Sequence, residues 1–234
     1  MRSLEYVLDL LLPDTCVLCG QIQRPRQKHK LCLLCWTNLP YNHSACAHCA
    51  LPLASPGICG ACLTTPLTRG RCVTPLGHEG DARRLVHEMK YAHNARAATT
   101  LAHAICAAVE ATYDKQGRPA CVMPVPLSYW RECWRGYNQA TWLAAHLSHE
   151  LCIPQIGHLV HRRHGPAQQT LPRRLRRRLS NNTFTLKGAL PCKHIAIVDD
   201  VLTTGSTVSA LIELLESAGA EQIDVWCATR AMID

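Results

Sequence analysis

The chain has 234 residues, 47% of them hydrophobic, and its 25 Lys and Arg outnumber its 17 Asp and Glu for a formal net charge of +8. This length suits one full domain and a small module, with enough apolar residues to form a core without disulfides. No apolar run approaches the roughly 18 residues of a membrane-spanning helix, and the excess of basic residues favours an anionic partner.

The N-terminal stretch Leu4 to Leu12 is apolar but contains Glu5 and Asp9. It leads into a cysteine motif without a small-residue cleavage site, which argues against a signal peptide. We predict a short amphipathic helix that packs on the neighbouring module, with membrane docking as the alternative. Eight of the fifteen Cys lie in Cys-x-x-Cys pairs in the first quarter of the chain. This pattern predicts metal binding in a reducing cytoplasm rather than a secreted disulfide scaffold.

The four Cys-x-x-Cys pairs predict two zinc sites. Each pair offers two thiolates from one tight turn, and two pairs complete a tetrahedral Zn²⁺ site whose role is structural. Sequential pairing is expected; cross-braced pairing, or replacement of a Cys ligand by His29, His43 or His48, is the alternative. The predicted ligands are Cys16, Cys19, Cys32 and Cys35 in one site and Cys46, Cys49, Cys59 and Cys62 in the other.

The composition changes after the last cysteine pair. Residues 1–65 form the predicted helix and double zinc ribbon, residues 66–80 a junction rich in Pro and Gly, and residues 81–234 the main domain. Cys72 and Val73 are expected to begin an edge strand within the junction.

Apolar residues at helical spacing predict two helices at the start of the main domain, over Arg83 to Lys90 and Ala95 to Tyr113. A strand is then predicted over Ala120 to Val125. Pro124 and Pro126 end it, because proline cannot donate a hydrogen bond to a sheet ladder.

The loop after this strand interleaves aromatic residues with arginines, in a chain with only 5% aromatic residues. Trp130 and Trp134 are candidates for stacking on nucleic-acid bases. Local packing of the same side chains is the alternative interpretation.

The next elements follow the same alternation of helix and strand. A helix is predicted over Asn138 to Leu151, with Trp142, Leu143, His146 and Leu147 turned inward, followed by a strand over Ile156 to Val160. Extended chain is expected over Phe184 to Leu186, and a last strand over Ile223 to Ala228.

The most basic stretch has seven Arg and no acid within seventeen residues. A solvated face is the ordinary explanation of such a run, and a mobile anion-binding segment is the alternative that we favour here. Its arginines are Arg162, Arg163, Arg173, Arg174, Arg176, Arg177 and Arg178.

The stretch from Ile195 to Thr207 predicts a phosphate cradle. Four apolar residues indicate a buried parallel strand, Asp199 and Asp200 close it, and a loop of small residues leads into an apolar-periodic helix. Free amides and the helix dipole then favour an anion. The acid pair suits ribose hydroxyls or Mg²⁺ attached to that anion. An ordinary strand–helix turn is the alternative, and the absence of a Gly-Lys-Ser/Thr ending argues against a P-loop.

Strands that alternate with long helices predict an α/β fold: a parallel sheet with helices on both faces behind a small zinc-ribbon module. Ligands on such sheets bind at the carboxyl ends of the strands. The cradle and the aromatic–Arg loop both leave such an end, so both are expected to face one crevice.

The cradle resembles the phosphoribosyl pyrophosphate loop of type I phosphoribosyltransferases, and the chain as a whole resembles the ComF/GntX family. The strings that carry the resemblance, beside the cysteine pairs and the cradle, are Leu85-Val86-His87-Glu88-Met89-Lys90-Tyr91, Pro124-Val125-Pro126, Arg135-Gly136-Tyr137-Asn138-Gln139-Ala140, and Gln169-Thr170-Leu171 with Arg178 and Asn181.

This resemblance implies a type I phosphoribosyltransferase fold and a role in natural competence and the use of external DNA. Asp199 and Asp200 would hold ribose hydroxyls and, indirectly, Mg²⁺, and the arginine-rich stretch would be a mobile hood. The implied phosphate ligands are Thr203, Thr204, Gly205, Ser206 and Thr207, and the implied pyrophosphate or anion ligands are Lys90, Arg131, Arg135 and Arg178.

One position departs from the purine-salvage members of this fold, which carry a third acid as a base. Thr203 stands there instead. A threonine hydroxyl cannot take a proton at neutral pH, so purine salvage is not expected.

Two functions therefore remain. The first is a cytoplasmic protein of DNA uptake that binds phosphoribosyl pyrophosphate or a related nucleotide and handles incoming single-stranded DNA, with Trp130, Trp134, Arg162, Arg163, Arg173 and Arg174 as candidate contacts. The second is a Mg²⁺-dependent phosphoribosyltransferase acting on a nucleobase-like acceptor. A zinc-ribbon module that contacts a DNA-uptake helicase or channel protein is a third, weaker hypothesis.

Overall fold

The structure is a computed structural model that describes residues 14–23, 27–114, 117–127, 137–162 and 183–232. Its main element is a five-stranded sheet. Its central strands, β6 (His194–Leu202) and β7 (Gln222–Arg230), run parallel over eight paired positions. β3 (Cys121–Pro124) flanks β6, while β1 (Cys72–Val73) and β2 (Leu76–Gly77) both pair with β7, all in parallel. The predicted parallel sheet with Cys72 in an edge strand is confirmed.

Helices cover both faces of this sheet, as predicted. The helices α3 (Gly80–Tyr91), α4 (Ala95–Thr112) and α5 (Gln139–Leu151) bury apolar residues with Ala196 and Val198 on one face of β6. The helix α6 (Ser206–Ser217) packs with Ile195 and Ile197 on the other face. This alternation along β6 places its consecutive residues on opposite sides of the sheet.

The zinc module contains two short helices, α1 (Leu33–Thr37) and α2 (Gly60–Thr64), one in each ribbon. The first ribbon packs on α3 and α4, where Thr100 Oγ1 donates to the His29 carbonyl over 2.7 Å. The second ribbon meets the edge of the sheet, where the Cys72 amide donates to the Ala47 carbonyl over 2.8 Å. The two ribbons therefore contact different parts of the main domain.

A small antiparallel hairpin stands beside the sheet, formed by β4 (Val160–Arg162) and β5 (Phe184–Leu186). The predicted strand Ile156 to Val160 is wrong: the segment makes one backbone hydrogen bond to β3, from the Ile156 amide to the Val122 carbonyl, and then forms a 3₁₀ turn. The turn's Gly157 abuts Pro124, which has no N–H with which to continue a ladder.

Two further details of the sequence-based prediction need correction. Trp142 is 37% exposed, because the buried face of α5 runs through Ala140, Leu143 and Leu147 and leaves residue 142 to one side. The strand β6 also continues to Leu202, so the acid pair lies inside the strand rather than closing it.

Gly219, with φ +97°, has the left-handed conformation expected just after a helix.

The amino-terminal edge of the sheet contains a buried polar network that the sequence analysis did not predict. Asp224 is fully buried and accepts hydrogen bonds from the Tyr113 hydroxyl (2.9 Å) and the Arg71 amide (2.7 Å), and it contacts His194 Nε2 (2.8 Å). At the same edge the chain carries a Cys121–Cys192 disulfide, which was not expected either. Among the described residues no helix is long and apolar enough to cross a membrane.

Candidate functional site

The candidate ligand site is the turn from β6 into α6. Gly205 precedes the helix in a left-handed conformation (φ 77°, ψ 0°) and has no side chain to cap it, while the Thr204 hydroxyl accepts one long hydrogen bond from the Ser206 amide. The first amides of a helix have no intrahelical acceptor, so they and the positive end of the dipole face the loop. This arrangement favours an anionic ligand.

Small residues keep this turn open and fix its shape. Thr204 Oγ1 lies 3.2 Å from Ser206 Oγ and 3.4 Å from the Ser206 amide. The positive φ of Gly205 favours glycine, and a Cβ there would lie 2.7 Å from Leu67 Cδ1, so the leucine side chain would also have to shift. Thr203, Thr204 and Ser206 are exposed, which leaves their polar groups accessible to a ligand.

The acid pair straddles the sheet because strand side chains alternate. Asp200 is buried and points to the α3 face, where its Oδ2 lies 2.6 Å from Lys90 Nζ. Asp199 is half-buried, and its Oδ1 accepts from the Asp200 amide over 2.9 Å. The predicted residues Lys90, Asp199 and Asp200 are thus brought together, while their ligand roles stay predictions.

The two carboxyl groups have different electrostatic environments. Burial and the charge of Asp200 raise the pKa of Asp199 to about 8, although the Asp200 amide and Lys90 oppose the shift. The raised pKa favours the protonated form of Asp199 in the free protein. A cation or a hydrogen-bond donor on a ligand would favour its ionised form.

This shift predicts a pH-dependent stability. Between about pH 4 and pH 8 the folded chain holds a proton on Asp199 that the unfolded chain has released, so the free energy of unfolding falls as pH rises, by about 1 kcal/mol per pH unit. Asp199→Asn should remove this contribution. Urea unfolding between pH 6 and pH 8 measures it, with Asp81→Asn, an exposed acid on α3, as the control. Identical slopes in wild type and Asp199→Asn would contradict the prediction.

Two residues of the Arg-Gly-Tyr-Asn-Gln string, Tyr137 and Asn138, have a structural role. Asn138 caps α5 through the Ala140 amide, and its Nδ2 donates to the Val125 carbonyl over 3.0 Å, which ties the helix to the end of β3. The Tyr137 hydroxyl donates to the Met89 carbonyl, next to Lys90. The string therefore helps to position the end of α3 that carries the lysine.

Two residues near the acid pair were missed by the sequence analysis. His78 Nδ1 lies 2.9 Å from Thr229 Oγ1, which itself lies 3.3 Å from the Asp200 carbonyl. Burial, Lys90 and Arg83 lower the pKa of His78. Arg230, at the end of β7, donates to the carbonyls of Leu202 (3.1 Å) and Thr203 (2.8 Å). The sequence signal available for Arg230 was its position as a charged residue at the end of an apolar strand.

A groove of about 550 Å³ opens at the same edge of the sheet. It begins at Pro124, whose register partner on β6 is Val198, the residue before Asp199. His161, Arg162 and Lys187 contribute to its wall, and no acid lines it within the described residues. Arg162 lies over the Phe184 ring, with 5.5 Å from its guanidinium carbon to the ring centroid. The groove is therefore basic.

Several predicted site residues lie outside the described part of the chain. They are Trp130, Arg131, Trp134, Arg135, Arg163, Arg173, Arg174 and Arg178, together with the predicted helix Leu4 to Leu12. Their roles stay predictions.

The eight ribbon cysteines form two clusters, Cys16/Cys19/Cys32/Cys35 and Cys46/Cys49/Cys59/Cys62, each with its sulfurs within 4.8 Å of one another. The Cys19–Cys32 and Cys49–Cys59 sulfur distances of 3.8 and 3.7 Å match the roughly 3.8 Å expected around a tetrahedral Zn²⁺. Sequential pairing is therefore confirmed, and the clusters fit structural zinc.

The neighbouring groups also suit a zinc–thiolate site. Burial of the Cys46 thiol opposes ionisation, but backbone amides, including that of Cys59 at 3.3 Å, outweigh it and lower the pKa to about 6. The candidate substitute His29 stacks on Trp36 at 4.1 Å, and His48 contacts the Gly70 carbonyl at 3.3 Å. Neither histidine belongs to a cysteine cluster.

Known proteins resemble the chain over both of its parts. The Double zinc ribbon domain model matches residues 7–63, and the Phosphoribosyl transferase domain model matches residues 95–233. DNA utilization protein YhgH of Salmonella typhimurium is 33% identical over 95% of this chain and 100% of its own length. Competence protein F of Haemophilus influenzae is 35% identical over 87% of this chain and 92% of its own length.

A third similarity is short. Hypoxanthine/guanine phosphoribosyltransferase of Methanococcus voltae is 46% identical over 48 residues, which are 20% of this chain and 26% of that protein. Together with the parallel sheet and the two cysteine clusters, these matches confirm the predicted fold, a phosphoribosyltransferase domain behind a double zinc ribbon.

Proposed function

Because the chain belongs to the ComF family, which includes competence protein F and DNA utilization protein YhgH, we propose that it serves DNA utilisation by binding phosphoribosyl pyrophosphate or a related nucleotide at the cradle. The observation that carries this proposal is the acid pair beside the open helix N-terminus. Amides of Thr203 to Thr207 suit a phosphate, and the carboxylates of Asp199 and Asp200 suit ribose hydroxyls.

Mg²⁺ fits the same proposal. The ligand's pyrophosphate and the carboxylates of Asp199 and Asp200 are the oxygen donors that Mg²⁺ prefers, and the ion would neutralise the pyrophosphate charge. Lys90, 2.6 Å from Asp200 Oδ2, supplies a positive charge from the protein at the same place. Thr203, exposed and without proton-accepting ability at neutral pH, supports nucleotide binding over purine salvage.

Calorimetric titration with phosphoribosyl pyrophosphate and Mg²⁺ tests this proposal. We expect wild type to bind and the double variant Asp199→Asn/Asp200→Asn to bind at least about 100-fold more weakly, because neutral amides lose the charge-assisted hydrogen bonds to the ribose. Asp81→Asn, an exposed acid on α3, is the matched control. Absence of binding by folded, zinc-loaded wild type would refute the proposed ligand.

We further propose that the protein also binds incoming single-stranded DNA, in the cytoplasm. The basic groove supports this proposal: it opens at the same sheet edge as the acid pair and is lined by His161, Arg162 and Lys187. A strand whose end enters the cradle would present its next phosphates to these side chains, and phosphate contacts supply most of non-specific affinity.

The DNA proposal predicts a steep salt dependence. We expect the double variant Arg162→Gln/Lys187→Gln to bind an oligonucleotide single strand more weakly at low salt and to lower the slope of log K against log salt by about 1.4, since each single-strand phosphate contact contributes about 0.7. Fluorescence anisotropy measures both quantities. Lys193→Gln, an exposed lysine paired with Glu221, is the control. Salt-insensitive binding by wild type would contradict the proposal.

The alternative is an active Mg²⁺-dependent phosphoribosyltransferase, favoured by the short match to hypoxanthine/guanine phosphoribosyltransferase. Such an enzyme forms a bond from C1′ of the 5-phosphoribosyl group to an acceptor and releases pyrophosphate from the same carbon. Pyrophosphate release that depends on an added nucleobase, and that Asp199→Asn/Asp200→Asn abolishes, would support this alternative.

A further inference from the structure

The second zinc ribbon is connected to the cradle through side chains outside the ribbon, which its role as a structural module does not require. Arg230 makes the principal connection. Its Nε donates to the Cys49 carbonyl over 2.9 Å, and its Nη1 donates to the carbonyls of Leu202 and Thr203. Cys49 is a ligand of the second cysteine cluster, and Thr203 begins the cradle. One side chain thus holds a zinc knuckle and the phosphate loop together.

A second contact joins the same two parts. Leu67, five residues after the zinc ligand Cys62, lies directly over Gly205, where a Cβ would approach its Cδ1 to 2.7 Å. Leu67 thus connects the chain just after the last zinc ligand of the second ribbon to the turn of the cradle.

Arg230 is suited to this role by its geometry. It is 7% exposed, and no carboxylate of the described residues forms an ion pair with it. Burying an unpaired cation is costly unless its N–H groups are satisfied, and here main-chain carbonyls from two segments accept them. The rigid guanidinium fork can reach both segments at once, which a lysine ammonium on a flexible stem cannot reproduce. Its charge also lies beneath the loop that would hold an anion.

The first ribbon provides a natural comparison. Its described contacts go to the helices: Arg84 Nη1 donates to the Leu18 carbonyl over 3.3 Å, and Arg96 Nη2 contacts Asp14 over 2.8 Å. Both ribbons are thus held by an arginine that donates to a ribbon carbonyl. Among the described residues, only Arg230, which contacts the second ribbon, also donates to the cradle.

From these contacts we infer that Arg230 is a positioning residue that couples the second zinc site to the cradle, so that metal at Cys46/Cys49/Cys59/Cys62 sets the affinity of the cradle for its ligand. The inference rests on the proposed function for the identity of that ligand. Coupling between two sites is reciprocal. A bound ligand must therefore retain zinc at the second site, and at that site only.

The test uses the full-length, zinc-loaded chain and phosphoribosyl pyrophosphate with Mg²⁺. We expect Arg230→Lys and Arg230→Met to weaken binding at least about 10-fold with two zinc ions still present, a factor within the usual range of coupling. Arg84→Met, which removes the equivalent contact of the first ribbon, should change the affinity less than about twofold. If Arg230→Met does not fold, Arg230→Lys and Leu67→Ala carry the same expectation.

The rate of zinc release to a chelator is a measurement that a purely structural role of Arg230 would leave unchanged. In wild type the ligand should slow the release of one zinc ion of two, and Cys49→Ser, which lacks the second site, should lose this protection. Arg230→Lys should also lose it. Equal protection of both ions, or protection of one ion that persists in Arg230→Lys, would overturn the inference, as would unchanged ligand affinity in Arg230→Lys.

Absence of ligand binding can be told apart from absence of coupling. If wild type does not bind phosphoribosyl pyrophosphate, the proposed function is wrong, and hydrogen exchange then tests the coupling without the ligand. Faster exchange of the amides of residues 202–207 in Arg230→Lys, with both zinc ions in place and with Arg84→Met unchanged, would sustain the coupling. Unchanged exchange in Arg230→Lys would overturn it.

Discussion

Cys46→Ser is expected to reduce the zinc content from two ions per chain to one and to unfold the second ribbon. Cys46 is fully buried, and the local cluster around it consists of buried Cys46, Cys59 and Cys62 with partly buried Cys49, Leu51 and Leu53. Without metal so small a cluster cannot offset the entropy of ordering the segment. A structural zinc site contributes roughly 10 kcal/mol or more to folding, so loss of this ion should leave the second ribbon unfolded.

Metal analysis and hydrogen exchange over residues 45–62 measure this effect. Cys152→Ser is the matched control, because Cys152 is exposed and belongs to neither cluster. It should keep two zinc ions and the exchange pattern of wild type. Retention of both ions by Cys46→Ser would show that the second cluster does not depend on all four thiolates.

Asp224→Ala is expected to lower the free energy of unfolding by about 3 to 5 kcal/mol, the range for removing one member of a buried charged network. The substitution leaves the Tyr113 hydroxyl and the Arg71 amide without their acceptor and opens a cavity beside Trp226, whose Nε1 donates to the Tyr113 hydroxyl over 3.3 Å. Each buried donor left unpaired costs about 1 to 3 kcal/mol. The network lies at the sheet edge opposite the cradle, so the effect should be on stability.

Denaturant unfolding of the zinc-loaded chain gives this measurement. Asp224→Asn keeps the shape and one carbonyl oxygen, so it should lose less stability than Asp224→Ala. Glu221→Ala removes the exposed partner of Lys193 on the same edge and should produce no measurable change. A loss in Asp224→Ala no larger than in Glu221→Ala would mean that the network contributes little.

The sequence predicted those features whose causes are local. A Cys-x-x-Cys turn brings two sulfurs together within four residues, so the spacing of the pairs indicated both zinc sites and their sequential pairing. The same holds for the cradle, where a buried strand, small residues and an apolar helix are consecutive, and for α4, whose apolar period is regular over its whole length. The outward position of Trp142 was missed because spacing alone does not fix which stripe of a helix is buried.

Contacts between distant parts of the chain were decided by the tertiary structure. Lys90 meets Asp200 only because α3 packs on the face of β6 to which even-numbered residues point. Arg230 reaches Cys49, 181 residues away, because β1 and β2 bring the second ribbon against β7. Strand pairing and crossover geometry determine such contacts, and neither is encoded in the residues near Arg230. The sequence therefore predicted the two cysteine clusters and the strand, turn and helix of the cradle, while only the tertiary structure showed that Arg230 connects the second of these clusters to the cradle.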